Sequence, residues 1–130
     1  MICLDSDCII DFLKGRSEAI DIIDKYKDNL ATTELNLFEV YFGIHNKKVL
    51  NITEEKSADM LFESLLVLPF DNGCGKESSM IMAKLMKEGK MINQNDVLIA
   101  GILKKNNINS FITRNEKHFS NIKGLNVVTY

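Results

Sequence analysis

Acidic side chains recur in this chain at places where carboxylates can do hydrolytic chemistry with a cation. Asp5 and Asp7 stand in "LDSD", residues 4–7, where the first apolar run turns into a helical pattern. Glu39 lies about two turns into "TELNLFEVYFGI", a segment so apolar that an unpaired charge in it is costly. Asp96 opens the helical pattern of "NDVLIAGIL", and Thr113, Arg114 and Asn115 end the apolar run "SFIT". Each acid also has a plainer reading. Asp5 fits a helix cap, Asp7 and Asp96 fit first-turn acids that complement a helix dipole, and Glu39 fits a solvated stripe. Convergence separates the two readings: carboxylates brought close raise one another's pKa unless a divalent cation favours the ionised form. An oxygen-only donor set suits Mg²⁺ or Mn²⁺ better than zinc.

The elements that must position these acids are legible as short apolar runs alternating with amphipathic stretches. Residues 2–4 read as a buried strand; Asp5 or Ser6 then caps a helix to about Lys14, which Gly15 stops. Ser17 caps a second helix with Ile20, Ile22, Ile23 and Tyr26 on one face. A strand over 30–32 precedes a helix from Thr33 to about His45, apolar nearly all round and therefore expected to be buried on two sides. Thr53 opens a helix carrying Met60, Leu61, Leu65 and Leu66, followed by a strand in "VLPF", 67–70. Residues 75–88 are amphipathic, Asn95 caps the next helix, and strands follow at 110–113 and in "NVVTY". This alternation predicts an α/β three-layer sandwich with a central parallel sheet, in which ligands bind beyond the carboxyl ends of the strands.

At 130 residues and 45% hydrophobic content, with one proline and no low-complexity tract, the chain reads as a single domain over 1–130. A net charge of −2 offers a polyanion no general attraction, so any nucleic acid partner would depend on bound cations or on local basic groups. Lys14 and Arg16, flanking Gly15, and Arg114 are the candidate phosphate contacts. No apolar run reaches the length of a membrane span, and no basic region precedes one at the amino terminus, which implies a cytoplasmic protein. The cysteines Cys3, Cys8 and Cys74 form no CxxC pair; Cys3 and Cys8 read as core. "GCGKES", 73–78, lacks a phosphate loop's requirements, having Phe70 and Glu77 where a Gly and a Ser or Thr belong.

Taken in order, "LDSDCIIDFLKG", "ATTELNLFEVYFGI", "INQNDVLIAGIL" and "FITRNEKHFSNIKGLNVV" resemble the acidic motifs of the PIN-domain family, specifically its VapC-type toxins, over essentially the whole chain. The resemblance implies a five-stranded parallel sheet and an endoribonuclease dependent on Mg²⁺ or Mn²⁺. It further implies a homodimer and silencing by a cognate antitoxin protein. Carried over by residue, Asp5, Glu39 and Asp96 are catalytic metal ligands, Asn115 takes the place of a fourth ligand, and Asp7 and Thr113 support them. Gln94 and His118 depart from the pattern, standing where many members carry an acid, and both remove negative charge. Phe12, Leu13, Ile20 and Ile23 are candidate positions for gripping an antitoxin helix.

Two rival readings remain at this level. Asp5-x-Asp7 also fits the opening of a haloacid-dehalogenase-like phosphatase, with Asp5 as nucleophile, although Gln94-Asn95-Asp96 matches that family poorly. A catalytically weakened, partner-binding member of the PIN fold is favoured by Asn115, Gln94 and His118.

Overall fold

The computed structural model describes residues 1–130. Its strands are β1 (Ile2–Leu4), β2 (Leu30–Thr33), β3 (Leu66–Leu68), β4 (Ser110–Ile112) and β5 (Asn126–Val128). They form one five-stranded sheet in the order β3-β2-β1-β4-β5, every pairing parallel. The helices are α1 (Ser6–Leu13), α2 (Ser17–Tyr26), α3 (Glu34–His45), α4 (Ile52–Ser64), α5 (Cys74–Lys87), α6 (Gln94–Lys105) and α7 (Glu116–Phe119).

Strand pleating divides the core between two faces, because successive side chains point to opposite sides. Ile2 and Leu4 of β1 join Leu30, Ile112 and the inner faces of α1 to α4 (Cys8, Ile9, Ile23, Val40, Ile44, Phe62). Cys3, between them, joins Ala31 and Phe111 against α5, α6 and α7 (Leu85, Val97, Ile102, Leu103, Phe119). The three-layer sandwich expected from the sequence is thus realised. α5 and α6 approach most tightly at Gly101, where a Cβ would fall 1.8 Å from Ser78 Oγ.

The strand order decides where a ligand can sit. From β1 the chain winds outward to β2 and β3, then crosses to the other side of β1 to lay down β4 and β5. The crevice between the carboxyl ends of β1 and β4 is therefore the topological switch point, where the adjoining connections diverge to leave an opening.

Several local expectations need correction. Asn93 caps α6 through its side chain to Asn95 N, so Asn95 is a helical residue. Asn51 caps α4, two residues earlier than Thr53 suggested, and Leu66 leaves that helix to begin β3. β3 ends before Pro69, which has no N–H to donate to a sheet ladder. Ser17 is the first helical residue of α2, with Arg16 at the cap position and no side-chain cap bond. α3 does pack on two sides as expected, Leu35 on one core and Val40 and Ile44 on the other, but it also keeps an uncovered side on which Phe38 and Phe42 stack at 6.0 Å. Ile23 belongs to the core and cannot grip a partner.

Candidate active site

β1 ends at Leu4, and Asp5 is the next residue, fixed to the neighbouring strand by its N–H donating to Ile112 O at 2.9 Å. Its φ of −77° and ψ of 159° are extended, and its carboxylate accepts from Ser6 N, so it caps α1 as its local pattern suggested. That role does not exhaust the side chain. Oδ1 also accepts from Asn36 Nδ2 at 3.0 Å, and Oδ2 accepts from Thr113 Oγ1 at 2.6 Å. Asp5 is only 5% exposed, far more enclosed than a helix cap needs to be.

Asn36 owes its orientation to Thr33, the α3 cap. Thr33 Oγ1 accepts from Asn36 N and donates to Asn36 Oδ1 at 2.6 Å, which turns the amide nitrogen toward Asp5. Thr33 and Asn36 are both fully buried. One and a half turns from the start of α3, Glu39 Oε1 accepts from Ser6 Oγ at 3.2 Å. Thr113, immediately after β4, reaches Asp7 as well: Oγ1 lies 3.2 Å from Asp7 Oδ2, which also accepts from Arg114 N at 3.0 Å. Asp7 Oδ1 is buried without any partner. Asp96 Oδ2, in the first turn of α6, contacts His118 Nδ1 at 3.1 Å.

The chemistry of these carboxyls is coupled. Burial first, and then the charge of Asp7, pushes Asp5 up to about 7. Burial likewise raises Asp7, Glu39 and Asp96, with Glu39 feeling Asp96 and Asp7, and Asp96 feeling Asp7. Four acids from three stretches of sequence thus face one crevice. They are spaced by hydroxyl, amide and imidazole partners, and no trio of acidic, histidine or cysteine side chains is drawn together to the spacing of a closed metal cage. The donor set nevertheless fits a hard divalent cation. It is dominated by carboxylate oxygens, and the unpartnered Asp7 Oδ1 is a buried acceptor that a cation would satisfy.

Other candidates fall differently. Asn115 is exposed, and its part in the network is its backbone N–H, which donates to Thr113 Oγ1 at 3.0 Å. Arg16 and Arg114 come together on opposite oxygens of the buried Asp11, at 3.2 and 3.0 Å, with Tyr130 Oη donating to Asp11 at 2.7 Å. Lys14 stands apart from them, lining a groove with Ile10, Leu13, Ile44 and Lys47. Gln94 is exposed at the start of α6. Burial, with Asp7 next, pushes the Cys8 thiol up to about 12, which leaves no thiolate for nucleophilic chemistry near neutral pH.

Sequence reasoning missed Asn36, took Ser6 only as an alternative helix cap and counted His118 only as lost charge. The Thr33-x-x-Asn36 spacing, a reciprocal cap at the start of α3, was the available signal for Asn36. Its place directly after Asp5 in "LDSD" marked Ser6, whereas nothing local marks His118.

The family model of the PIN domain matches residues 2–125. The chain belongs to the PIN domain family. It is 32% identical over 99 residues to Ribonuclease VapC3 of Methanocaldococcus jannaschii, covering 76% of this chain and 94% of that protein. Among solved structures, the VapBC2 complex of Rickettsia felis bound to a promoter DNA fragment superposes with a TM-score of 0.88 at 22% identity, covering 100% of this chain and 99% of the matched one. DNA-bound VapBC of Salmonella typhimurium gives 0.85 at 20% identity over 99% and 98%. These two likenesses establish the PIN fold. With the family shown, the haloacid-dehalogenase reading of Asp5-x-Asp7 is set aside: in this PIN chain the pair belongs to a carboxylate cluster.

Proposed function

We propose that this chain is a divalent-metal-dependent endoribonuclease and the toxin of a VapBC-type toxin–antitoxin pair. The observation that carries the proposal is the mutual electrostatic coupling of Asp5, Asp7, Glu39 and Asp96 around the β1–β4 switch point, with a buried carboxylate oxygen of Asp7 left unpartnered. The ribonuclease named among its relatives supports the same reading.

Asp5, Glu39 and Asp96 would hold the cation, with Asp7 beside them and Asn115 in the place of a fourth ligand. A bound Mg²⁺ or Mn²⁺ supplies Lewis-acid polarisation of a phosphoryl oxygen and acidifies water. The side chains do the rest. Asn36 and Thr113 hold Asp5 in one rotamer, Ser6 holds Glu39, and the Thr113–Arg114 backbone holds Asp7, so the carboxylates need little reorganisation to act together. Arg16 and Arg114, steadied by Asp11, provide guanidinium groups for the phosphates of a single-stranded RNA.

The VapBC complexes among its structural neighbours support an antitoxin partner. The groove of about 210 Å³ lined by Ile10, Leu13, Val40 and Ile44, with Lys14, Lys47 and Glu54 also on its walls, suits an amphipathic segment of that partner. The stacked and exposed Phe38 and Phe42 suit a homodimer contact. No helix is long and apolar enough to cross a membrane, and a cytoplasmic location fits a cellular RNA substrate.

The test is RNA cleavage by purified, antitoxin-free protein with Mg²⁺ or Mn²⁺, against EDTA and against Asp5→Asn and Asp96→Asn. Metal-dependent cutting that both variants lose is the expected result. Cutting that survives in EDTA or in both variants overturns the reading.

A further inference from the structure

His118 enters the carboxylate cluster from an element none of the acids occupies. Its Nδ1 lies 3.1 Å from Asp96 Oδ2, with the imidazole side chain 54% and the carboxylate side chain 17% exposed. Two donor atoms on adjacent vertices of an octahedral ion, each about 2.1 Å from it, are separated by about 3.0 Å. The pair therefore already spans the edge of a small cation's coordination shell.

This placement is held by the fold. His118 N donates to Asn115 O at 3.0 Å, and Phe119, the next residue, is fully buried with its ring 4.6 Å from Phe111 at the centre of the sheet. Swinging the imidazole away from Asp96 by moving the backbone would pull Phe119 out of the core.

We infer that His118 is itself a ligand of the divalent ion, donating through Nδ1 beside Asp96, and that it biases the centre toward Mn²⁺ over Mg²⁺. The inference rests on the metal-dependent reading above. Mg²⁺ favours hard oxygen donors and near-ideal octahedra, whereas an imidazole nitrogen suits transition-metal ions. A neutral ring also brings less negative charge than a carboxylate, which costs the more purely electrostatic Mg²⁺ site more.

The test uses the full-length chain loaded with Mn²⁺ and pulsed electron paramagnetic resonance, which detects a directly bound ¹⁴N. Calorimetric affinities for Mn²⁺ and Mg²⁺ are measured alongside for the wild type, His118→Asp and His118→Gln. The expected result is a nitrogen coupling in the wild type, absent in both variants, and a Mn²⁺:Mg²⁺ affinity ratio about tenfold lower in His118→Asp. Mn²⁺ bound without nitrogen coupling overturns the inference and leaves the nuclease reading standing, with His118 as a hydrogen-bond partner of Asp96. A coupling with an unchanged ratio overturns the selectivity. Absence of binding in the wild type and in His118→Asp alike removes the metal-dependent reading, and this inference with it. The exposed position lets both variants fold, which circular dichroism verifies.

Discussion

Thr113 Oγ1 lies 2.6 Å from Asp5 Oδ2 and 3.2 Å from Asp7 Oδ2, closing a bridge between two acids two residues apart through a residue more than 100 positions away. The hydroxyl has one proton to give, and the shorter contact assigns it to Asp5. Asp7 Oδ2 then relies on the Arg114 N–H, while its Oδ1 has no partner. Thr113→Val keeps the volume of this fully buried side chain and deletes the bridge, which also strands Asn115 N. The expected cost is about 1–3 kcal/mol in urea unfolding, with RNA cleavage reduced; Thr113→Ser, which keeps the hydroxyl, should restore the cleavage.

The Asp5 carboxyl makes the metal-free protein sensitive to pH. Its folded pKa, near 7, stands above the ordinary value of 3.8 because of burial and then Asp7. The folded chain thus binds the proton more tightly than the unfolded chain does. This contribution is fully present below pH ~4 and is lost as pH rises through about 7. Its full extent is of order 4 kcal/mol. Denaturant melts in EDTA should show the wild type weakening between pH 5 and 8 and Asp5→Asn weakening much less. Added Mn²⁺ should raise the wild-type melting temperature at pH 8 and leave that of Asp5→Asn nearly unchanged. An equal pH response in the two proteins would count against the carboxyl as its source.

Asn36 shields Asp5 by donating to Oδ1 at 3.0 Å. Asn36→Asp replaces that donor with a second buried carboxyl of the same size. Repulsion between the two makes the variant less stable than wild type by about 3 kcal/mol or more at pH 8, with a smaller deficit at pH 5, where a shared proton relieves it. A deficit independent of pH would mean that packing, and not charge, is what Asn36 contributes.

α5 and α6 depend on Gly101. A Cβ there would lie 1.8 Å from Ser78 Oγ and 2.9 Å from Ser78 N, so the helices must separate to admit it. Gly101→Ala should cost about 3 kcal/mol or more. Combining it with Ser78→Gly should recover only part, because the backbone nitrogen still crowds the methyl group. A double-mutant cycle by chemical denaturation measures both effects.

The exposed Phe38–Phe42 pair predicts an association that a single charge can break. Phe38→Glu should convert a dimer to a monomer in analytical ultracentrifugation at micromolar concentration, with little loss of monomer stability because the position is on the surface. A wild type that sediments as a monomer under the same conditions removes the dimer proposal.

The alternation of short apolar runs with amphipathic stretches was enough to set out the strands, most helices and the layered parallel sheet, because those depend on local periodicity and on burying both faces of each strand. The acids Asp5, Glu39 and Asp96 were legible too, since each sits just after a strand or inside an apolar helix, where a charge is conspicuous. Local pattern failed at the edges: Asn95 and Asn93 offer the same capping chemistry, and only packing chose between them. It placed α3 against both cores but did not mark its uncovered Phe38–Phe42 side, because apolar periodicity cannot tell a core from an uncovered face. The bond from Asn36 to Asp5, the bridge from Thr113 to Asp7 and the contact of His118 with Asp96 span 31, 106 and 22 residues. The first two arise from the β2-β1-β4 order, which brings separate strand ends to one crevice, and the third from the packing of α6 and α7, which lie on either side of β4 in sequence. No sequence window contains them, because the energy that selects the strand order is the burial of the whole sheet rather than any property of the residues that meet there.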